Sequence, residues 1–141
     1  MLAKFLKLSA LCLALSLFVA TAALAEQTQV KIMERPGIGK YLADGEGMTL
    51  YYFTRDTPGA SVCAGDCLKK WPPLAAGKLK LEKGLKRADF RTLKRDDGTA
   101  QVTFKGYPLY YFFKDQAPGD IHGNGIAGVW LLVDPSNFPP K

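Results

Sequence analysis

The chain has 141 residues and a formal net charge of +6, which is enough sequence for one domain with a modest core and only mildly basic. That charge suits an anionic partner or a membrane surface and is ordinary for an exported protein. With a single histidine and no Ser-His-Asp set, phosphate loop or metal-ligand cluster, the composition argues against the familiar catalytic classes.

Residues 1–25 have the layout of a secretory signal: Lys4 and Lys7, an apolar run from Leu8 to Val19, then Ala23-Leu24-Ala25. The apolar run is short for a membrane span, and Cys12 lies inside it behind Leu11, a poor setting for lipid attachment. Cleavage after Ala25 removes two lysines and no acid, leaving 116 residues at a formal charge of +4. No stable membrane span is then expected.

Glu26 to Gln29 is polar and expected to fray. Val30 to Glu34 reads as a short strand ended by Arg35-Pro36-Gly37, and Lys40 to Ala43 as a second. Asp44-Gly45-Glu46-Gly47 is a hairpin signal leading into Met48 to Phe53, so the first unit reads as a three-stranded antiparallel meander. Ala64 to Lys70 has room for one or two helical turns near Cys67 before Trp71-Pro72-Pro73 ends them. The basic stretch Lys78 to Arg87 lacks aromatic rings. It reads as a solvated connector and not as a nucleic-acid groove, which needs stacking rings among its charges.

The pattern then recurs. Gly47-Met48-Thr49-Leu50-Tyr51-Tyr52-Phe53-Thr54-Arg55-Asp56 returns 59 residues later as Gly106-Tyr107-Pro108-Leu109-Tyr110-Tyr111-Phe112-Phe113-Lys114-Asp115. Strands are expected at Phe90 to Lys94, Ala100 to Phe104, Tyr107 to Phe113 and Gly128 to Val133, before an irregular tail from Pro135. Trp71 follows Tyr51 by 20 positions and Trp130 follows Tyr110 by 20, although the loops between them differ by one residue. The expectation is a mainly β domain of residues 26–141, built from two tandem meander repeats, about 30–77 and 89–135.

Extended backbone puts Tyr51 and Phe53 on one face and Leu50 and Tyr52 on the other, and the same holds for Tyr110, Phe112 against Leu109, Tyr111. Such strands are expected to be central and covered on both sides. Asp56 and Asp115 follow them, where a carboxylate accepts from turn amides. Alternatively, Tyr51, Phe53, Asp56, Tyr110, Phe112 and Asp115 converge on one two-fold pocket for a small molecule. An enzyme would require the two carboxylates to share one cleft. Cys63 and Cys67 are an even pair for an oxidising compartment, so a local disulfide is expected, with a redox pair or two metal thiolates as the alternatives. Haem attachment through them is disfavoured because Leu68, not histidine, follows Cys67. A 59-residue offset sets His122 against Cys63, and His122 with Met33 or Met48 is the candidate set for haem or copper.

The two Tyr-Tyr-Phe…Asp segments, together with Cys63-Ala64-Gly65-Asp66-Cys67, Trp71-Pro72-Pro73 and Gly125-Ile126-Ala127-Gly128-Val129-Trp130, resemble a bacterial secreted-repeat family. That family is described as predicted lipoproteins with a repeated Tyr-x-(Phe/Trp/Tyr)-x-x-Asp motif. The resemblance runs from about Gly39 to Pro135 and implies an envelope protein of tandem copies, without established catalytic residues. The missing lipid-attachment cysteine departs from that label and favours a soluble periplasmic product. The expected function is an exported, periplasmic or secreted, non-catalytic module that binds a small molecule or an envelope protein. An envelope redox or haem/metal-handling protein is the alternative.

Overall fold

The computed structural model describes residues 26–141; the expected signal segment lies outside the described residues. Strand β1 (Gln27–Arg35) pairs antiparallel with β2 (Gly39–Asp44), from Val30 opposite Asp44 to Arg35 opposite Gly39. The start of β1 does not fray, because β4 (Lys78–Leu81) lies parallel to it with Gln27 opposite Lys78 and Val30 opposite Leu81. The basic connector is therefore partly a strand. Its period-2 sequence turns Leu79 and Leu81 onto the core and leaves Lys78 and Lys80 exposed.

In the second repeat, β5 (Phe90–Lys94) and β6 (Ala100–Phe104) have the limits their alternation predicts, and β7 (Tyr107–Pro108) completes an antiparallel sheet. Within the first repeat, helix α1 (Asp66–Lys70) stops at Trp71, where two prolines follow.

The third strand of each repeat departs from a self-contained meander. In the first, one bridge from Ala43 to Thr49 and two hydrogen bonds, from the Asp44 amide to the Met48 carbonyl and from the Leu50 amide to the Leu42 carbonyl, hold the chain near β2. Strand β3 (Tyr51–Phe53) then pairs with β8 (Trp130–Leu132) of the second repeat, Tyr51 opposite Leu132 and Phe53 opposite Trp130. On its other side, Tyr51 and Tyr110 exchange amide-to-carbonyl bonds of 2.8 and 2.9 Å, and Leu109 and Tyr111 bond to Leu74 and Pro72. Four segments result: 71–74, 109–112, β3 and β8. Residues 71–74 are the counterpart of β8, but Pro72 and Pro73 have no N–H to give, so the pairing stays at one bridge.

Strands with two apolar faces need cover on both, which a lone meander cannot supply. Leu50, Tyr52 and Leu109 enter one core with Val30, Leu42 and Phe104, while Tyr51, Tyr110 and Phe112 enter a second with Trp71, Trp130 and Cys63. The tail contributes too: Phe138 is buried edge-on against Tyr52 at 4.7 Å.

The Pro-Gly loops lock this exchange. The Gly59 amide donates to the Gly106 carbonyl at 2.8 Å, and the Gly119 amide to the Gly47 carbonyl at 3.1 Å. Gly47 and Gly106 sit at φ +90° and +88°, and a Cβ on either would lie 3.0 Å or less from the other repeat's Pro118 or Pro58. Left-handed backbone and close approach both call for glycine here.

Candidate functional site

Tyr51 and Tyr110 are equivalent residues, and they form a hydrogen-bonded antiparallel pair with each other, so a local two-fold axis runs between them. Around that axis four rings stack in series. Phe53 lies on Trp130 at 4.2 Å, Trp130 on Trp71 at 3.8 Å and Trp71 on Phe112 at 4.4 Å. Each tryptophan thus takes the phenylalanine of the other repeat. Tyr51 and Tyr110 meet Trp71 and Trp130 edge-on at 5.6 and 5.1 Å, the favoured quadrupole geometry.

The tyrosine hydroxyls continue the exchange. Tyr110 Oη donates to Asp56 Oδ2 at 2.6 Å, and Tyr51 Oη donates to Asp115 Oδ2 at 2.6 Å. The second oxygen of each carboxylate accepts a backbone amide, Val62 at 2.7 Å for Asp56 and His122 at 2.9 Å for Asp115. The aspartate of one repeat holds the tyrosine of the other, twice. Burial, then the carboxylate partner, pushes both phenols well above their usual range. Burial also raises Asp56 and Asp115, against the pull of the tyrosine hydroxyl and the amide.

The chain belongs to the secreted-repeat family. The model of that family, described as a secreted repeat of unknown function, matches residues 32–75 and 91–134, the two halves that meet on this axis. No curated protein and no solved structure matches the chain.

In this secreted repeat all six motif residues, Tyr51, Phe53, Asp56, Tyr110, Phe112 and Asp115, come together, but as interior contacts. Tyr51, Tyr110, Phe112 and Asp56 are buried, and Phe53 and Asp115 are half-buried. Each carboxylate is tied to a different tyrosine, Asp56 to Tyr110 and Asp115 to Tyr51.

The two ends of the axis differ. Behind Asp56 stands a buried Arg95, whose Nη1 donates to Ser61 Oγ at 3.0 Å and Gln101 Oε1 at 2.6 Å, while Nη2 donates to the Cys63 carbonyl. Ser61 Oγ in turn bonds the Tyr110 hydroxyl at 2.6 Å. Cys63 and Cys67 are joined as a disulfide with Cα atoms 5.4 Å apart, fixing this loop beside the network. Arg95 escaped the sequence reading because an arginine beside two aspartates and a glycine looks like a solvated turn. A further cross-repeat bond, Tyr111 Oη to Asp44 Oδ2 at 2.8 Å, was likewise hidden, since Asp44 reads as a turn residue.

At the other end, among the described residues, no arginine or disulfide backs Asp115. The Gly123 amide donates to Tyr51 Oη at 3.1 Å, and a Cβ on Gly123 would lie 2.8 Å from that ring. Because the His122 amide plays the part of the Val62 amide, the offset in these loops is 60, not 59, and His122 corresponds to Val62 while Gly123 corresponds to Cys63. The extra loop residue accounts for the shift. The His122 ring is exposed, with Nε2 3.7 Å from Asp120 Oδ2. Among the described residues no group of three or more His, Cys, Asp or Glu side chains is placed to hold a metal ion, and Met33 and Met48 are half-buried on β1 and ahead of β3.

His122 lies where two open clefts meet. One, of about 570 Å³, is bordered by Phe113, Lys114 and Ile126; the other, of about 500 Å³, by Arg35, Ile38 and Asp120. Three of the four large hydrophobic side chains most exposed on the described residues, Ile38, Phe113 and Ile126, stand around this one histidine.

Proposed function

We propose that this secreted repeat is an exported, periplasmic, non-catalytic binding module. The repeated motif supplies a rigid frame, and the loops around His122 supply the contact surface. The observation that carries the reading is the clustering of Ile38, Phe113 and Ile126 around His122, on a frame whose motif hydroxyls and carboxylates are spent on one another. Exposed apolar side chains gathered in one place mark interaction sites more often than scattered ones do. With Arg35 and Lys114 at the rim, the fitting partner is a segment of another envelope protein that offers apolar and acidic side chains.

The test is a photo-crosslinking amino acid placed at Phe113 in exporting cells, with Thr92, on strand β5, as the control position. A discrete adduct from position 113, absent from 92 and lost with Ile126→Ser or Lys114→Glu, supports the reading. Adducts of the same pattern from both positions, or none from 113, would overturn it.

A further inference from the structure

A basic segment lies outside the surface around His122. Residues 78–91 hold six basic side chains, Lys78, Lys80, Lys83, Lys86, Arg87 and Arg91, and two acids, Glu82 and Asp89. The remainder of residues 26–141 holds 11 basic and 11 acidic side chains and is formally neutral. The net positive charge of the described chain, +4, therefore resides in this segment.

The fold gathers these charges on one surface. All six cations are exposed, and none is within 4.0 Å of a carboxylate among the described residues. Arg87 Nη1 reaches back to the Leu79 carbonyl at 3.5 Å, joining the turn before β5 to β4, and Arg87 and Arg91 border one shallow cleft with Leu79. Glu82, the acid that would offset Lys80 and Lys83, is drawn away to accept the Ile32 amide at 2.6 Å. A cationic surface with its counter-charge diverted keeps its field for a partner.

We infer that this face docks on an anionic bilayer surface through lipid phosphate headgroups. Two observations favour the bilayer over a soluble polyanion. First, the cations are spread along β4 and on through the turn to β5, and only Arg87 and Arg91 share a cleft, a layout that fits a flat anionic surface rather than one compact polyanion. Second, β1 runs nine residues from Gln27, beside Lys78, to Arg35, at the rim of the His122 clefts. At about 3.3 Å per residue Gln27, beside Lys78, stands roughly 26 Å from Arg35, so a domain lying on the Lys78 end of its basic face presents the His122 surface away from the bilayer. Lysines and arginines near an anionic surface each strengthen binding about fivefold, and the attraction fades beyond a Debye length.

The experiment is co-sedimentation of the exported protein with vesicles of phosphatidylglycerol and phosphatidylcholine, against vesicles of phosphatidylcholine alone. Expected is binding to the anionic vesicles only, released by added salt, weakened about fivefold by Lys80→Gln and more than about a hundredfold by combined Lys78→Glu, Lys80→Glu, Arg87→Glu and Arg91→Glu. Lys114→Glu leaves it unchanged. The salt response of the unaltered protein and the single neutral substitution guard against misfolding of the reversed variant. Equal binding to both vesicles, no salt dependence, equal loss with Lys114→Glu, or soluble polyphosphate bound as tightly as the vesicles would each overturn the inference.

Discussion

The two ends of the aromatic axis use one motif in two ways. At the Asp56 end the Tyr110 latch is sealed by Arg95, Ser61, Gln101 and the Cys63–Cys67 disulfide, and its carboxylate is 3% exposed. At the Asp115 end the Tyr51 latch has only backbone support, and its carboxylate is half-buried beside the exposed His122. Duplication fixed the frame in both copies, while one end was closed with covalent and ionic groups and the other kept open loops. The sealed end is tied by a disulfide and a buried arginine, and the open end carries the exposed loops proposed above as the contact surface.

The largest effect should fall on what both ends share. Trp71→Ala removes the ring that stacks on Trp130 and Phe112, and should cost about 3–5 kcal/mol in denaturant unfolding, with Trp130→Ala close to it. The ends should then separate. Tyr110→Phe leaves a buried Asp56 short of its donor and should cost about 3 kcal/mol, near the upper range for a bond to a charged group. Replacing Cys63 and Cys67 by serine opens a loop enclosing three residues, for which chain entropy gives a loss of roughly 2 kcal/mol. Tyr51→Phe should cost less than Tyr110→Phe, about 1–1.5 kcal/mol, because water can reach the half-buried Asp115. Equal losses at the two tyrosines would break the comparison.

These differences were only partly legible in the sequence. The glycines of the hairpins, the limits of β5 and β6, the two-faced strands and the tryptophan register all follow from local rules, because backbone geometry and side-chain alternation act within a few residues. The crossing of β3 to β8, and of each tyrosine to the other repeat's aspartate, does not. A spacing of 59 is the same whether Tyr51 meets Asp56 or Asp115, and burial of both strand faces decides between them only in three dimensions. Arg95, Phe138 and β4 were missed for a related reason: a turn arginine, a tail phenylalanine and a lysine-leucine alternation look solvent-facing until a long-range partner covers them.

The smallest predicted effect is in pH. Tyr51, Tyr110 and Tyr111 titrate in the folded state well above the ordinary phenol, through burial first and their carboxylate partners next. A raised folded value gives stability that is complete below the unfolded phenol's value, about 10, and is lost as pH rises beyond it. Melting temperature should therefore fall more steeply above about pH 10 than in the Tyr51→Phe variant, which has one such phenol fewer. Burial raises Asp56 and Asp115 as well, so the same sign holds: their contribution is complete below the ordinary carboxylate range and declines as pH rises through their folded values. Acid should not open these two latches, and scanning calorimetry from neutral to acid pH on Asp56→Asn and Asp115→Asn beside the unaltered protein would check it.

The most direct measurement is a set of double-mutant cycles joining Tyr51→Phe and Tyr110→Phe to Asp56→Asn and Asp115→Asn, read by denaturant unfolding. The interlocked account predicts coupling of about 1 kcal/mol or more for Tyr110 with Asp56 and for Tyr51 with Asp115, and additivity within about 0.5 kcal/mol for Tyr51 with Asp56 and Tyr110 with Asp115. Coupling confined to the pairs within one repeat would contradict it.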